Sequence, residues 1–401
     1  RPAFRNVFSY ALMRDEKGEE MHKSKGNAIW FDEAAEIIGV DTMRWLFVTV
    51  DPSHNLNFGY NVANEVRRRF ILPLWNSYAF FTTYARLDRF DPTDSATHVQ
   101  LAERTMLDRW IISRLNQLVQ FVTDKLNAYS PDDAANAIER FVVDELSNWY
   151  IRRNRRRFWK SESDADKAAA YQTLYECLTT LTRLLAPFIP FIAESMYQNL
   201  VRSVDPNAPE SVHLTDFPVA DPAKIDEALS NDMAAVLEIV SLGRAARSEA
   251  NIKVRQPLPG ILVYSREPAV MDAVMRLQDQ VLDELNVKSI APLTELGEVV
   301  TYEIRPKLAV LGPKYGKRLN EIRTQLAQED PTSVAQRVQA GQPVELSLSD
   351  GTTVALQPDE ILVDLTKRAG YAAAQSSIAT VVLDTSLTPE LIQEGLARDF
   401  V

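Results

Sequence analysis

Three runs of apolar residues at helical spacing fill the middle of this chain and constrain its fold more than any other feature. Leu107, Ile111, Leu115, Leu118, Val122 and Leu126 recur every three or four residues, which sets them on one helix face. A second stripe runs Ile138, Val142, Leu146, Trp149, and a third Tyr171, Leu174, Leu178, Leu181, Leu185. Ser130-Pro131-Asp132-Asp133 starts the second helix with a capping Ser, Pro in the first turn and acids against the helix dipole. Pro187 and Pro190 end the third helix and begin another. Stripes joined by short connections predict an antiparallel bundle spanning about Tyr60 to Arg202.

The flanks follow other patterns. Phe8 to Met21 reads as two short strands around Asp15-Glu16-Lys17-Gly18, leading to a polar loop from His22 to Asn27. Asp32 is expected to cap a helix ending at Gly39, and Asp41 another that carries Met43, Trp45 and Leu46. Ser203 to Pro222, rich in Pro, Asp and Ser, reads as a linker. Beyond it a helix is expected from Lys224 to Ala250, then strands: Gly260 to Tyr264, and a hairpin in which Val344, Leu346 and Leu348 face Val354 and Leu356 across Asp350-Gly351. With 401 residues, the whole is a multidomain, mainly α chain closing in a mixed α/β domain.

Composition excludes several classes. No stretch approaches the roughly 20 apolar residues of a membrane-spanning helix. Cys177, the single cysteine, rules out an internal disulfide and a multi-cysteine zinc site, as expected of a reducing, cytoplasmic compartment. His54, His98 and His213 have no metal-ligand spacing, so no bound metal is expected, and Gly312 to Lys317 lacks the Walker spacing and reads as a turn. The start at Arg1-Pro2, without Met, and a last helix from Thr388 still open at Val401 read as a segment cut at both ends. The net charge of −11 disfavours general adhesion to nucleic acid, although a local basic patch acts within its own screening length of about 10 Å.

Two constellations carry chemistry. In Glu20-Met21-His22-Lys23-Ser24-Lys25-Gly26-Asn27, two lysines flank a serine on a loop closed by glycine. Such a loop is either a solvated turn or a polyphosphate cradle of ammonium groups and backbone amides. The second is Arg152, Arg153, Arg155, Arg156, Arg157 and Lys160 on one helix. At helical spacing Arg152, Arg155 and Arg156 share a face, with Arg153, Arg157 and Lys160 on an adjoining one. This is either a solvated helix end or a phosphate clamp, with Trp149, Tyr150, Phe158 and Trp159 at stacking range or in the core.

The first stretch resembles the Lys-Met-Ser-Lys-Ser signature of class I aminoacyl-tRNA synthetases, with Met21, Lys23, Ser24, Gly26 and Asn27 in register. Gly39-Val40-Asp41-Thr42-Met43-Arg44-Trp45 is similar to the segment that follows it in the isoleucine, valine and leucine group. Asn148 to Trp159 resembles the anticodon-binding domain of isoleucyl enzymes of the eukaryote-like type, and Ala246 to Leu258 the start of their C-terminal extension. The resemblance implies three parts: the end of a class I catalytic domain (1–59), a helical anticodon-binding domain (60–205) and a mixed α/β C-terminal domain (206–401). It implies isoleucine activation with ATP and Mg2+ as substrate, transfer to the tRNA 3′ end, and a monomer.

In that reading Lys23 is the catalytic clamp on the ATP phosphates. Met21, His22, Ser24, Lys25 and Gly26 shape the ATP loop, and the Arg152–Lys160 run meets tRNA. Glu20 and His22 depart from the signature, standing where it has a lysine and a serine; His22 reads as a loop-packing residue rather than a base. Two other readings stay open on the residues: a stand-alone RNA-binding module, because the His-Ile-Gly-His type signature is absent, and another class I synthetase such as the valine enzyme.

Overall fold

The computed structural model describes residues 3, 4, 7–160, 163–295, 300–367 and 370–399. It divides into two compact units, 1–230 and 231–401.

The first unit begins with β1 (Met13–Arg14), α1 (Phe31–Ile38), α2 (Val40–Val48) and β2 (Leu56–Asn57). The expected hairpin is reduced to its turn. Gly18 supplies the positive φ of 81° and its N–H bonds Asp15 O at 2.9 Å, but β1 pairs in parallel with β2, and only one bridge, Arg14 to Glu20, closes the hairpin. Leu56 and Asn57, 43 residues on, supply the longer ladder, so pairing across the turn stops almost at once.

The bundle follows: α3 (Tyr60–Val66), α4 (Leu72–Leu87), α5 (Met106–Asn127), α6 (Pro131–Arg140), α7 (Arg152–Trp159), α8 (Asp164–Leu185) and α9 (Pro190–Tyr197). The predicted stripes form its core. Ile111, Leu115, Leu118, Val122, Ile138, Val142, Leu146, Trp149, Tyr171, Leu174, Leu178, Leu181 and Leu185 are all buried, while Leu107 and Leu126 lie half-buried at the ends. Between α6 and α7 the chain winds more widely, with a π-helix over Phe141–Ile151, so Phe141, Tyr150 and Ile151 are buried alongside the expected stripe. Ser130 makes no side-chain cap, leaving Pro131 and the two acids to start α6. The stretch read as a linker is pinned to the bundle. Glu194 accepts from Ser211 Oγ at 2.8 Å and Val212 N at 2.9 Å, and Asn116 Oδ1 accepts from Asp221 N at 2.9 Å.

Asp41 departs from its expected role. It lies inside the first turn of α2, and its carboxylate reaches α9, accepting from Ile192 N at 2.6 Å and more distantly from Phe191 N at 3.5 Å. Arg44, one turn on, donates to Phe188 O and Pro187 O, both at 2.8 Å. Anion at a helix N-terminus and cation on the carbonyls after α8 suit the two dipoles. Trp45, fully buried, stacks on Phe70 with centroids 3.9 Å apart and donates to Glu139 at 3.0 Å. Asp32 likewise falls within its helix and caps nothing; Trp30 holds the N-cap position.

The second unit contains most of α10 (Glu227–Glu249), then β3 (Ile261–Tyr264), α11 (Pro268–Arg276), α12 (Gln278–Leu285), β4 (Ile290–Pro292), β5 (Val300–Pro306), α13 (Leu308–Tyr315), α14 (Leu319–Leu326), α15 (Pro331–Gln339), β6 (Val344–Ser347), β7 (Thr353–Leu356), β8 (Ile361–Lys367), β9 (Tyr371–Gln375), β10 (Thr380–Asp384) and α16 (Pro389–Asp399). One sheet runs β4-β3-β10-β9, parallel only between β3 and β4; β5 pairs with β8, and β6 with β7 as the predicted hairpin. Gly312 to Tyr315 is the last turn of α13, stopped by Gly316 at φ 50°, rather than a free turn. Among the described residues no helix is long and apolar enough to cross a membrane, and no group of His, Cys, Asp and Glu stands in a metal-holding arrangement.

The most heavily committed polar group in the bundle is Asp108, fully buried at the start of α5. It closes a capping box with Thr105, accepts from Tyr150 Oη at 2.5 Å, and takes both Nη atoms of Arg157 at 2.9 Å. Replacing it with asparagine leaves the partly buried Arg157 half compensated, so Asp108→Asn is expected to lower stability by about 3 kcal/mol. The exposed Lys125–Asp133 pair should contribute under about 1 kcal/mol. Urea unfolding of Asp108→Asn and Asp133→Asn measures both, and equal effects would refute the assignment.

Candidate functional site

The signature-like loop is a single 3-10 turn, Lys23–Lys25, closed by Gly26 at φ 70°. Gly26 N bonds Lys23 O at 3.2 Å, and the left-handed conformation suits a residue without Cβ. No residue of the turn is buried, so sequence-local bonds and its flanks hold it.

Asn27 does most of that holding. Its Oδ1 accepts from His22 N at 2.9 Å, and its Nδ2 donates to Asp15 Oδ2 at 2.9 Å and Glu20 O at 3.1 Å. The side chain thus ties both ends of the loop to the Asp15 turn. Asp15 also accepts from Lys17 N and Glu19 N, and the Asn27 amide, followed by the Glu19 N–H, holds its carboxyl below the usual range. Lys23 lies over the ring of Trp30, its ammonium 4.4 Å from the centroid. Trp30 is exposed, so the lysine rests on a platform at the solvent boundary, at hydrogen-bonding distance from no carboxylate among the described residues.

The two departures from the signature meet each other. His22 Nε2 stands 3.3 Å from Glu20 Oε2, both about half exposed. His22 therefore does not pack into the loop as expected, and the Glu20 carboxylate is directed to His22 rather than to Lys23. Met21 is half-buried; Ser24 and Lys25 are exposed. Trp30 and the anchoring role of Asn27 were not foreseen; Asn27 was legible only as a matching letter of the signature.

The arginine run lies on α7. Arg152, Arg155, Arg156 and Lys160 are exposed, Arg153 is half-buried 5.7 Å above the Trp149 ring, and Arg152 Nε donates to Asn148 O at 2.8 Å. Arg155 and Arg156 have no ion pair among the described residues. Arg157 is different. It turns inward to Asp108 and to Asp166, 2.7 Å away. Burial, the largest influence, would lower its pKa, but the Asp108 hydrogen bonds, the charges of Tyr150 and Asp108 and the Asp166 hydrogen bond together outweigh it and hold it raised. Of the four nearby aromatics, Trp149, Tyr150 and Phe158 are core, and Trp159 alone is exposed. What remains outward is a face of four cations with one indole beside it.

Residues 1–59 match the family described as tRNA synthetases class I (I, L, M and V), and residues 108–262 match the anticodon-binding domain of tRNA ligase. An isoleucine–tRNA ligase of Thermus thermophilus is 43% identical over 400 residues, which is 100% of this chain and 38% of that protein. One from Deinococcus radiodurans is 42% identical over 402 residues, covering 100% and 36%, and one from Dehalococcoides mccartyi is 52% identical over 301 residues, covering 75% and 29%. The chain belongs to the isoleucine–tRNA ligase family. It spans little more than a third of the length of these relatives. Within the isoleucine–tRNA ligase frame, the Lys23 turn falls in the class I match and the α7 arginines in the anticodon-binding match.

The loop geometry makes a direct expectation. Asn27→Ala removes all three side-chain bonds, so trypsin should cut after Lys23 or Lys25 several-fold faster than in the unaltered chain. An unchanged rate would show that the loop is held by something other than the Asn27 amide.

Proposed function

We propose that this chain supplies the ATP-phosphate loop and the tRNA-binding body of an enzyme that activates isoleucine as an adenylate and transfers it to the 3′ end of its tRNA, acting as a monomer. The division proposed is 1–59 for the end of the catalytic domain, 60–205 for anticodon binding and 206–401 for the C-terminal domain. The observation that carries the reading is the seat of Lys23: a cation on an aromatic platform, in an exposed turn anchored at both ends, with no carboxylate among the described residues holding it. A lysine held by ring attraction alone, worth about 0.5 to 1 kcal/mol at an exposed site, leaves it readily for a polyphosphate. Its ammonium then offsets charge as pyrophosphate departs from Mg2+-bound ATP. Met21, His22, Ser24, Lys25 and Gly26 form the rest of the ATP loop. Family membership favours this over a stand-alone RNA-binding module.

In the whole enzyme, Lys23→Ala should reduce the rate of isoleucine-dependent ATP–pyrophosphate exchange by an amount equivalent to about 2 to 4 kcal/mol while changing the ATP KM little. A rise in KM alone would make Lys23 a ground-state anchor. Glu20→Lys, which restores the family's residue and releases His22, should be neutral or mildly activating.

For tRNA, the reading assigns contact to Arg152, Arg155 and Arg156, with Arg153 and Lys160 adjoining and Arg157 holding the helix in place. From Glu139 to Lys160 there are seven basic residues and three acidic ones, so the surface is locally positive despite the net charge of −11. Each neutralised phosphate contributes about 0.7 to 0.9 to the slope of log affinity against log salt. Replacing Arg152, Arg155 and Arg156 with Gln should reduce that slope by about two, with circular dichroism unchanged because Gln keeps helix propensity. Unchanged affinity and slope would make these arginines a solvated face.

A further inference from the structure

Trp159 is the one outward residue of α7 to which charge gives no task. Its indole is 56% exposed at the last position of a helix whose other exposed residues are arginines. Folding does not require a ring there: the bundle core takes Phe158 from the same turn, and the negative end of the helix dipole favours a further Lys or Arg. Tryptophan is highly buried on average, so an open indole in a row of arginines calls for another cause.

Helix geometry fixes its company. α7 is regular α-helix from Arg152 to Trp159, so Trp159 shares a face with Arg155 and Arg156 one turn before it, while Arg157 and Phe158 fall on the side turned into the bundle. Neither Arg155 nor Arg156 has an ion pair among the described residues, and α7 carries no acidic residue. The indole is also braced from behind. Its centroid lies 6.2 Å from that of Tyr84 on α4, with the planes tilted by 47°. Tyr84 leans on Phe80 at 4.9 Å, and Phe80 meets the buried Phe158 edge-on at 5.1 Å. Four rings thus tie this exposed surface to the core, which makes the indole a platform rather than a free side chain.

A braced aromatic face one helical turn from two guanidinium groups matches a nucleotide whose base has left its stack: the base lies on the ring and the backbone meets the cations. In a continuous duplex the bases cover one another, and only the backbone reaches such a surface. We propose that Trp159 is a base-stacking residue, which receives an unpaired nucleotide of the tRNA while Arg155 and Arg156 hold the adjoining phosphates. The proposal rests on the tRNA-binding reading above and adds a preference for unpaired over paired RNA.

Salt separates the two kinds of contact. A phosphate contact releases counterions and steepens the fall of log affinity with log salt, whereas a stacked base changes the affinity and leaves the slope alone. The test follows an isoleucine tRNA transcript binding to the 401-residue chain by anisotropy across a KCl series. Trp159→Ala should weaken binding about five- to a hundredfold, the range for losing one stacked base, with the slope unchanged. Trp159→Phe should recover most of that loss, and circular dichroism should not change, because the side chain lies outside the core. A fully paired RNA duplex should bind the unaltered chain and Trp159→Ala alike. An unaltered chain that binds no tRNA overturns the tRNA-binding reading, and this proposal with it. If Trp159→Ala keeps full affinity while the Arg152, Arg155, Arg156 variant is weakened, this proposal alone is overturned. It is overturned equally if Trp159→Ala lowers the salt slope, or weakens the duplex as much as the tRNA, since the indole would then be holding the arginines in place rather than meeting a base.

Discussion

The carboxylate of Asp108 is the point on which the bundle's outward chemistry depends. One oxygen takes Tyr150 Oη and Arg157 Nη1; the other takes Thr105 and Arg157 Nη2. A buried carboxylate is tolerable only when its lone pairs are filled and a counter-charge is near, and here both conditions are met by residues from three elements. Because Arg157 is one of them, α7 cannot rotate about its axis without breaking the pair. The exposed face of Arg152, Arg155 and Arg156 is therefore set by a neighbouring arginine turned the other way. Five arginines that look alike in sequence divide into those that meet solvent and one that fixes the angle at which they do so.

That division was not legible in the sequence, and the reason is physical. Periodicity reports which residues share a face, and the three stripes were read correctly because a bundle buries one face of each helix. It says nothing about which charged residue finds a partner far along the chain, and Asp108 lies 49 residues from Arg157. The wider winding over Phe141–Ile151 was hidden for a related reason: apolar residues at i and i+4 fit an α-helix as well as a π-helix. The paired departures Glu20 and His22 could be recognised only as two separate oddities until their side chains were seen 3.3 Å apart. Capping was misjudged at Asp32, Asp41 and Ser130 because an acid or serine before an apolar run satisfies the pattern whether or not its oxygen turns back to the local backbone.

The signature turn and the loop after α10 are held in shape by different means. The turn at Lys23 is shaped by a single amide, Asn27, and lies wholly at the surface, so its lysine can travel. The 251–256 loop is shaped by a buried guanidinium and a left-handed asparagine, with the C-terminal helix packed behind it. The first arrangement suits a group that moves with the charge it follows. The second fixes the path of the backbone from inside the fold.

The link from α2 to the α8–α9 corner has a consequence for how the chain is made. Asp41 and Arg44 are held by backbone groups of Phe188 and Ile192, more than 140 residues later. Ribosomes add about 5 to 20 residues per second, so roughly 8 to 30 s pass between synthesis of Asp41 and synthesis of its partner. During that interval Trp45 gains first Phe70, then Glu139 and last Phe188, the groups that cover its indole. The helix α2, beyond the signature turn, is thus made early and fully seated late. A nascent chain stalled before Phe188 would present a tryptophan without its edge contact to Phe188 and an unsatisfied Asp41 carboxylate, the kind of surface that chaperones hold and proteases find.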